Sequence, residues 1–352
     1  MRPFLICVSA AALICAGPAL AETVEKASVE RVSPSAVVVR WTDRDPVDVL
    51  VSEKADAAPA DAKLVSRADK DGRQQLAAPT SERLYVLLRD TRSGRTVRVA
   101  ERVLPLAQGS NFRDLGGYAT ADGKHVRWGR IFRSGATPML TDADLAEVKA
   151  LGLANMVDLR SSEERVLAPS RITGVPYTAI GYSMTTMMPM GPIQQAQMGA
   201  LYRELPTFLA PHLRIVFSEL LSGDGPLVYN CSAGQDRTGF VSAMVLSALG
   251  VPRSTIIEDY HLSTALRRPE YEMPKIDLAA HPGDPVAAMF AGGQGHAEAR
   301  KPRPLMTPDG RAYLDQALAA IDERWGSVDA YLEKEIGLTP AKIAQLRAAY
   351  LE

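Results

Sequence analysis

The sequence predicts an α/β domain with a largely parallel central sheet flanked by helices, preceded by a small all-β sandwich. Three observations carry this. Residues 22–107 hold short runs of Val, Leu and aromatic residues, broken by turn-prone stretches, with no helical period. From residue 108, strand-like and helix-like segments alternate, as in a sheet wrapped by helices. The run "GPLVYN" (225–230) leads through "CSAGQDR" into the apolar helix pattern "TGFVSAMVLSALG" (238–250), a strand–turn–helix unit.

Residues 1–21 stand apart. Arg2, an apolar stretch and Ala-Leu-Ala before Glu22 read as a secretory signal peptide cleaved after Ala21, so a periplasmic or secreted location is expected. No later stretch is long and apolar enough to span a bilayer, so no transmembrane anchor is expected. The 352 residues are 46% apolar, enough for two packed domains. A net charge of −1 gives no basic field for nucleic acid.

In residues 22–107 the runs "SAVVVRW", "VDVLVSE", "RLYVLLRD" and "TVRVAERV" read as strands. About seven strands fit this length, and the pattern loosely resembles a fibronectin type III module, with Trp41 and Tyr85 as core aromatics. In residues 108–352, "RIFRSG" (130–135) reads as a strand end and turn. "TDADLAEVKALG" (141–152) is a helix capped by Thr141 and closed by Gly152. "LANMVDLR" and "VPYTAI" are strands, and 193–222 is helical. "PRSTIIEDYHLS" and three C-terminal helical segments follow, the last with Thr339 as cap and Pro340 at its first position. Segment 266–307, rich in Pro, Gly and charge, reads as a long loop or partial lid.

The turn at 231–237 carries the chemistry. Cys7 and Cys15 leave with the signal, so Cys231 has no internal disulfide partner. A strand-to-helix turn points backbone N–H groups and a helix N-terminus at one place, and an anion binds there. Gly234 permits close backbone approach. Arg237 can grip two phosphate oxygens with its planar fork. Such positive surroundings favour a thiolate, a nucleophile aimed at phosphorus. Asp236 stands next to Arg237 and can protonate the leaving oxygen, while Thr238 or Ser232 can hydrogen-bond the sulfur.

This segment resembles the loop of bacterial cysteine-based phosphatases of the tyrosine, dual-specificity and lipid phosphatase superfamily, His-Cys-x-Ala-Gly-Lys-Asp-Arg-Thr-Gly. "NFRDLGGY" (111–118), "RIFRSG" and "VDLRSSEE" (157–164) resemble further blocks of that family in the same order. The resemblance covers roughly residues 108–352. It implies a cysteine-phosphatase-like fold, with Cys231 as nucleophile, Arg237 as phosphate clamp and Asp236 as general acid within the loop. Ser232, Ala233, Gly234, Gln235, Gly239 and Arg133 are the expected substrate-binding positions, Arg133 reading equally as a structural ion pair; Asp158 is the reserve acid, reading at least equally as a partner for a nearby arginine or a turn cap. Asn230 stands where the family has histidine, and Gln235 where it has lysine, which removes a cation from the pocket mouth.

Arg113 and Asp114 are expected to brace the loop. The Met-rich stretch 182–192 reads as core packing or an apolar entrance. His261 reads as a plain helix residue. The five histidines show no ligand spacing, so no metal site and no cofactor are expected. The expected partner is a phosphorylated protein or a small-molecule or lipid phosphate. Two other functions compete: a catalytically weak or dead phospholigand-binding protein, favoured by Asn230 and Gln235, and a rhodanese-like sulfurtransferase, disfavoured by the Asp-Arg-Thr-Gly ending.

Overall fold

The computed structural model describes residues 24–80, 83–187, 195–294 and 301–352. The signal segment, residues 1–21, and part of the Met-rich stretch lie outside the described residues.

Seven strands form the N-terminal part: β1 (Glu25–Ser33), β2 (Ala36–Thr42), β3 (Val47–Ser52), β4 (Lys63–Asp69), β5 (Arg73–Ala77), β6 (Tyr85–Asp90) and β7 (Thr96–Ala100). The pairings between these strands are antiparallel. One sheet runs β1-β2-β5, the other β4-β3-β6-β7. Val37, Val39 and Trp41 of β2 face inward by strand alternation and pack with Val47, Val49, Val86 and Leu88. β1, β4 and β5 carry polar, largely exposed faces, so they are faint in the sequence. Tyr85 departs from expectation. It packs with Ala100 and Trp128 in a separate cluster where the two parts meet, because Gly129 there admits its hydroxyl.

The second part has a five-stranded sheet of order β11-β10-β12-β9-β8. Its strands are β8 (Arg113–Asp114), β9 (Ile131–Ser134), β10 (Asn155–Asp158), β11 (Tyr177–Ala179) and β12 (Leu227–Asn230). All pairings are parallel except β8 with β9. Helices α1 (Asp142–Ala150), α2 (Ser162–Leu167), α3 (Met184–Met187), α4 (Gln195–Phe208) and α5 (Ala210–Ser222) lie between the strands in sequence. After β12 come α6 (Asp236–Leu249), α7 (Arg253–Leu266), α8 (Pro285–Gln294), α9 (Tyr313–Trp325), α10 (Val328–Tyr331) and α11 (Pro340–Tyr350).

Local rules fix these bounds. Thr141 and Asp144 exchange side-chain-to-backbone hydrogen bonds, a capping box that starts α1. α6 ends where Gly250 takes φ +87°. α6 is apolar all round because it is buried all round, between the sheet and α7, α9 and α11. Phe240, Val241, Met244 and Val245 are each fully enclosed, worth on the order of 1.5–3 kcal/mol apiece. Segment 266–307 is more structured than a loop. It carries α8, whose Val286 and Ala287 pack with Leu167 and Met184.

Arg83 joins the two parts by an ion pair to Asp114 at 2.8 Å, and Trp128 Nε1 donates to Arg98 O at 3.0 Å. Among the described residues, no helix is long and apolar enough to cross a membrane.

Candidate active site

β12 is the middle strand of the sheet, and its last residue, Asn230, stands level with Asp158 of β10 and Ser134 of β9. The chain then turns through 231–235 into α6 at the carboxyl edge of the parallel strands, the position where such sheets bind ligands. Cys231 opens this turn, is buried at 2% exposure and has no disulfide.

The turn is shaped for an anion. Among the described residues, the backbone N–H groups of Ser232, Ala233, Gly234 and Gln235 donate to no backbone or side-chain acceptor. The N-terminus of α6 adds its free N–H groups and dipole. Gly234 has φ +65°, and a Cβ there would lie 2.6 Å from Ser134 O and Gly135 N. Only glycine fits that approach.

Asn111, Arg113 and Arg133 brace the turn from behind. Asn111 Nδ2 donates to the carbonyls of Ala233 (3.1 Å) and Gly234 (2.8 Å), and Arg133 Nη2 donates to Gly234 O at 2.8 Å. Arg113 donates to Asn111 Oδ1. Both arginines converge on Asp259 of α7, Arg113 Nε at 3.0 Å and Arg133 Nη1 at 2.6 Å. Burial alone would raise Asp259, but the two guanidiniums hold its carboxyl well below the usual carboxylate range. Burial, with Arg133 alongside, pushes Arg113 down to about 10. Two cations against one anion leave positive charge behind the anion-binding turn.

Of the two readings of Arg133, a substrate-facing charge and a structural ion pair, the structure shows the ion pair. The side chain is fully buried and spent on Asp259 and Gly234 O, so its charge acts through the turn, without contact. Asp158, read as a reserve acid or as the partner of a nearby arginine, is fully buried too and is the partner of Arg160. Its oxygens accept from Arg160 Nε and Nη2 and from Tyr177 Oη, which leaves no route to a substrate oxygen. Asp114 binds Arg83 and the N–H groups of Gly116 and Gly129, so it braces the junction with the sandwich rather than the turn.

On the open side, Arg237 is held by Glu164. Nη1 and Nη2 each donate to one Glu164 oxygen at 2.7 Å, and Nη1 also donates to Tyr182 Oη at 2.6 Å. Ser232 Oγ donates to Glu164 Oε1 at 2.6 Å. Ser161, the N-cap of α2, fixes Glu164 through a capping box. Burial would raise Glu164, but Arg237 and these hydrogen bonds bring it down to about 2.

Asp236 accepts from Tyr202 Oη at 2.6 Å, and Tyr202 shares a 2.6 Å hydrogen bond with Tyr260. Asp236 and Arg237 line a cavity of about 660 Å³ walled by Met198, Leu201, Leu205 and Phe208. Across the turn, Ser232 borders a cavity of about 550 Å³ with Met273, Met289 and Phe290. Thr238 Oγ1 is buried without a partner among the described residues, and so is Asn230 Oδ1. Gly239 packs under Tyr260, where a Cβ would meet the ring at 2.9 Å, so it serves packing rather than substrate contact.

Gln235 was read as a lost cation. The structure brings one back: Arg267 Nη1 donates to Gln235 Oε1 at 2.8 Å, and Arg267 is itself paired with Glu272. Gln235 is 2% exposed, so Arg267, and not residue 235, faces the second cavity.

A buried cysteine beside free backbone N–H groups, a carboxylate-held arginine and an acid at the start of the next helix make a turn suited to binding a phosphate-like anion. The Tyrosine phosphatase family matches residues 104–352, and the chain belongs to it. A protein of Cupriavidus necator named as a tyrosine-protein phosphatase is 35% identical, over 69% of this chain and 86% of its own. The triple specificity protein phosphatase PtpB of Mycobacterium tuberculosis is 30% identical, over 72% of this chain and all of its own. A tyrosine-protein phosphatase of Nostoc commune is 27% identical, over 59% and 69%. The chain is a protein-tyrosine-phosphatase-like phosphoric monoester hydrolase.

Proposed function

We propose that this chain is an exported phosphatase that cleaves phosphate monoesters, phenolic esters such as phosphotyrosine foremost, through a phosphocysteine on Cys231. The observation that carries this reading is the Glu164-held fork of Arg237 beside the unpaired N–H groups of 232–235. A phosphate dianion in that cradle places its phosphorus above Cys231, with the ester oxygen toward Asp236. The thiolate attacks phosphorus, an S–P bond forms, and the P–O bond to the leaving group breaks. Asp236 gives that oxygen its proton. Water then attacks phosphorus, Asp236 takes a proton from it, and Cys231 leaves as thiolate. The apolar cavity beside Asp236 fits an aromatic leaving group, which favours phenolic esters.

Export rests on the pattern of residues 1–21. The three-on-four strand orders support the fibronectin type III-like reading of the sandwich. A second reading, a phospholigand binder without turnover, draws on Asn230, whose buried Oδ1 has no partner among the described residues.

One assay separates the two readings: p-nitrophenyl phosphate hydrolysis by residues 22–352 beside Cys231→Ser. Activity in the parent, blocked by vanadate and absent in the variant, is expected. A folded parent that binds vanadate without turnover would favour the second.

A further inference from the structure

Two connections meet at one end of the sandwich. Residues 43–46 join β2 to β3, and residues 91–95 join β6 to β7. β2 belongs to the three-stranded sheet and β6 to the four-stranded one. Thr91 locks one turn onto the other, donating to Pro46 O from its backbone N–H at 3.0 Å and from its Oγ1 at 2.8 Å. Asp43, Asp45 and Asp90 are thereby gathered, with one carboxylate oxygen from each within 4.8 Å of the others.

The cluster is undersupplied with positive charge. Asp90 is 1% exposed. Its Oδ1 accepts from the N–H groups of Arg92 and Ser93, but its Oδ2 is buried and has no partner among the described residues. Asp43 repeats the arrangement: Oδ1 accepts from Asp45 N–H at 2.9 Å, and the buried Oδ2 has no partner. Asp45 pairs with Arg92 at 2.7 Å on the outer edge, where the arginine side chain is 78% exposed. Asp43 and Asp90 have no ion pair among the described residues. Buried carboxylate oxygens in proteins are paired or bind a metal.

We propose that Asp43, Asp45 and Asp90 bind one calcium ion, which ties the two sheets of the sandwich together. The donors are all anionic oxygens, with no histidine or cysteine among them, and such a set selects a hard cation. Two carboxylates without an ionic partner among the described residues suit a divalent ion. Calcium accepts irregular shells of oxygens at roughly 2.3–2.6 Å, completed by water, whereas magnesium demands a near-ideal octahedron. A site assembled from two turns suits the larger ion. The three ligands belong to the sandwich and none to the 231–237 turn, so the ion is assigned to stability rather than to the reaction. The sequence signal is Asp43-x-Asp45 in one turn and Asp90 in another, a pattern that a search for histidine spacing passes over.

The test is calorimetric titration of the full mature chain, freed of metal by chelator, with calcium chloride and separately with magnesium chloride. Thermal melts with each ion accompany it. One calcium site is expected, with affinity near the ~1 mM of extracellular modules or tighter, and a melting temperature raised by calcium. Asp43→Asn and Asp90→Asn should each weaken binding by about tenfold or more, because each removes an anionic ligand. Asp45→Asn, on the exposed edge, gives the same reading should the buried variants fail to fold. Absence of both binding heat and a melting shift up to about 10 mM calcium, well above that affinity range, would overturn the site. Equal responses to magnesium and calcium, or calcium binding unchanged in the variants, would overturn the assignment.

Discussion

The guanidinium of Arg237 lies edge to edge with the carboxylate of Glu164, two nitrogens each 2.7 Å from a separate oxygen. The pair is buried, and it orients the donors that a phosphate would meet. The cost of desolvating both ions is offset only while both are present. Glu164→Gln is therefore expected to leave a buried cation unpaired. Stability should fall by about 3–5 kcal/mol, and kcat/KM by roughly 100-fold or more through a loosened fork. Denaturant unfolding and steady-state kinetics check the two effects. Unchanged kinetics in the folded variant would remove Glu164 from the positioning of Arg237.

Asp236 is oriented by Tyr202, 2.6 Å away. Asp236→Asn is expected to slow esters with poor leaving groups by about 100-fold or more, within the range for general acids. Esters of activated phenols should be much less affected. Tyr202→Phe should show the same dependence on leaving group in weaker form, since the acid stays but loses its tether. A leaving-group series on the three proteins decides this. Equal losses across the series would place the proton donor elsewhere.

Gln235→Lys restores the residue usual in this family, yet harm is expected. Position 235 is enclosed, and its side-chain oxygen is 2.8 Å from the Arg267 guanidinium. An ammonium there meets a like charge. The melting temperature should fall in Gln235→Lys and recover in the double variant with Arg267→Gln. Recovery in the double variant reads the coupling directly.

Two of the groups that weaken the fold in acid are His212 and Glu164. Burial, and then the charge of Arg237, push His212 down to about 4, against 6.5 when exposed. Burial would raise Glu164, but Arg237 and the hydrogen bonds from Ser232 and Ser161 together hold it at about 2, against 4.5. Each binds its proton more readily in the unfolded chain, so stability rises with pH through its window. The share governed by His212 is full above pH 6.5 and lost toward pH 4; that of Glu164 is lost between 4.5 and 2. Both ring nitrogens of His212 are buried without partners among the described residues. His212→Phe thus forfeits no hydrogen bond and should flatten the decline between pH 6.5 and 4 by up to about 3 kcal/mol. Unfolding free energies measured across that range check it, and an unflattened slope would contradict it.

The candidate site was legible where it is contiguous. Cys231, Gly234, Asp236 and Arg237 share one strand–turn–helix unit, and local rules place them together. Their supports were not legible in the same way. Glu164 meets Arg237 from 73 positions away, and Asp259 meets Arg113 from 146. Sequence blocks flagged Asn111 and Glu164 without roles, and nothing flagged Tyr202 or Arg267. Asp158 ends a strand at the active edge and Arg133 stands one residue short of a strand end there, but full burial against opposite charge commits them to structure. In the sandwich, the apolar β2, β3 and β6 announced themselves. The polar β1 and β5, which only flank β2, did not. α8 was masked by the Pro and Gly around it, and its burial against Leu167 and Met184 is what makes it a helix.

The central claim is a covalent phosphocysteine at Cys231. Acid-quenching the mature protein within its first turnovers of a phenolic phosphate, then weighing the peptide that contains Cys231, tests it most directly. The account predicts a phosphoryl adduct on that peptide in the parent, more of it in Asp236→Asn under an activated ester, and none in Cys231→Ser. Turnover without an adduct, or an adduct that persists in Cys231→Ser, would contradict it.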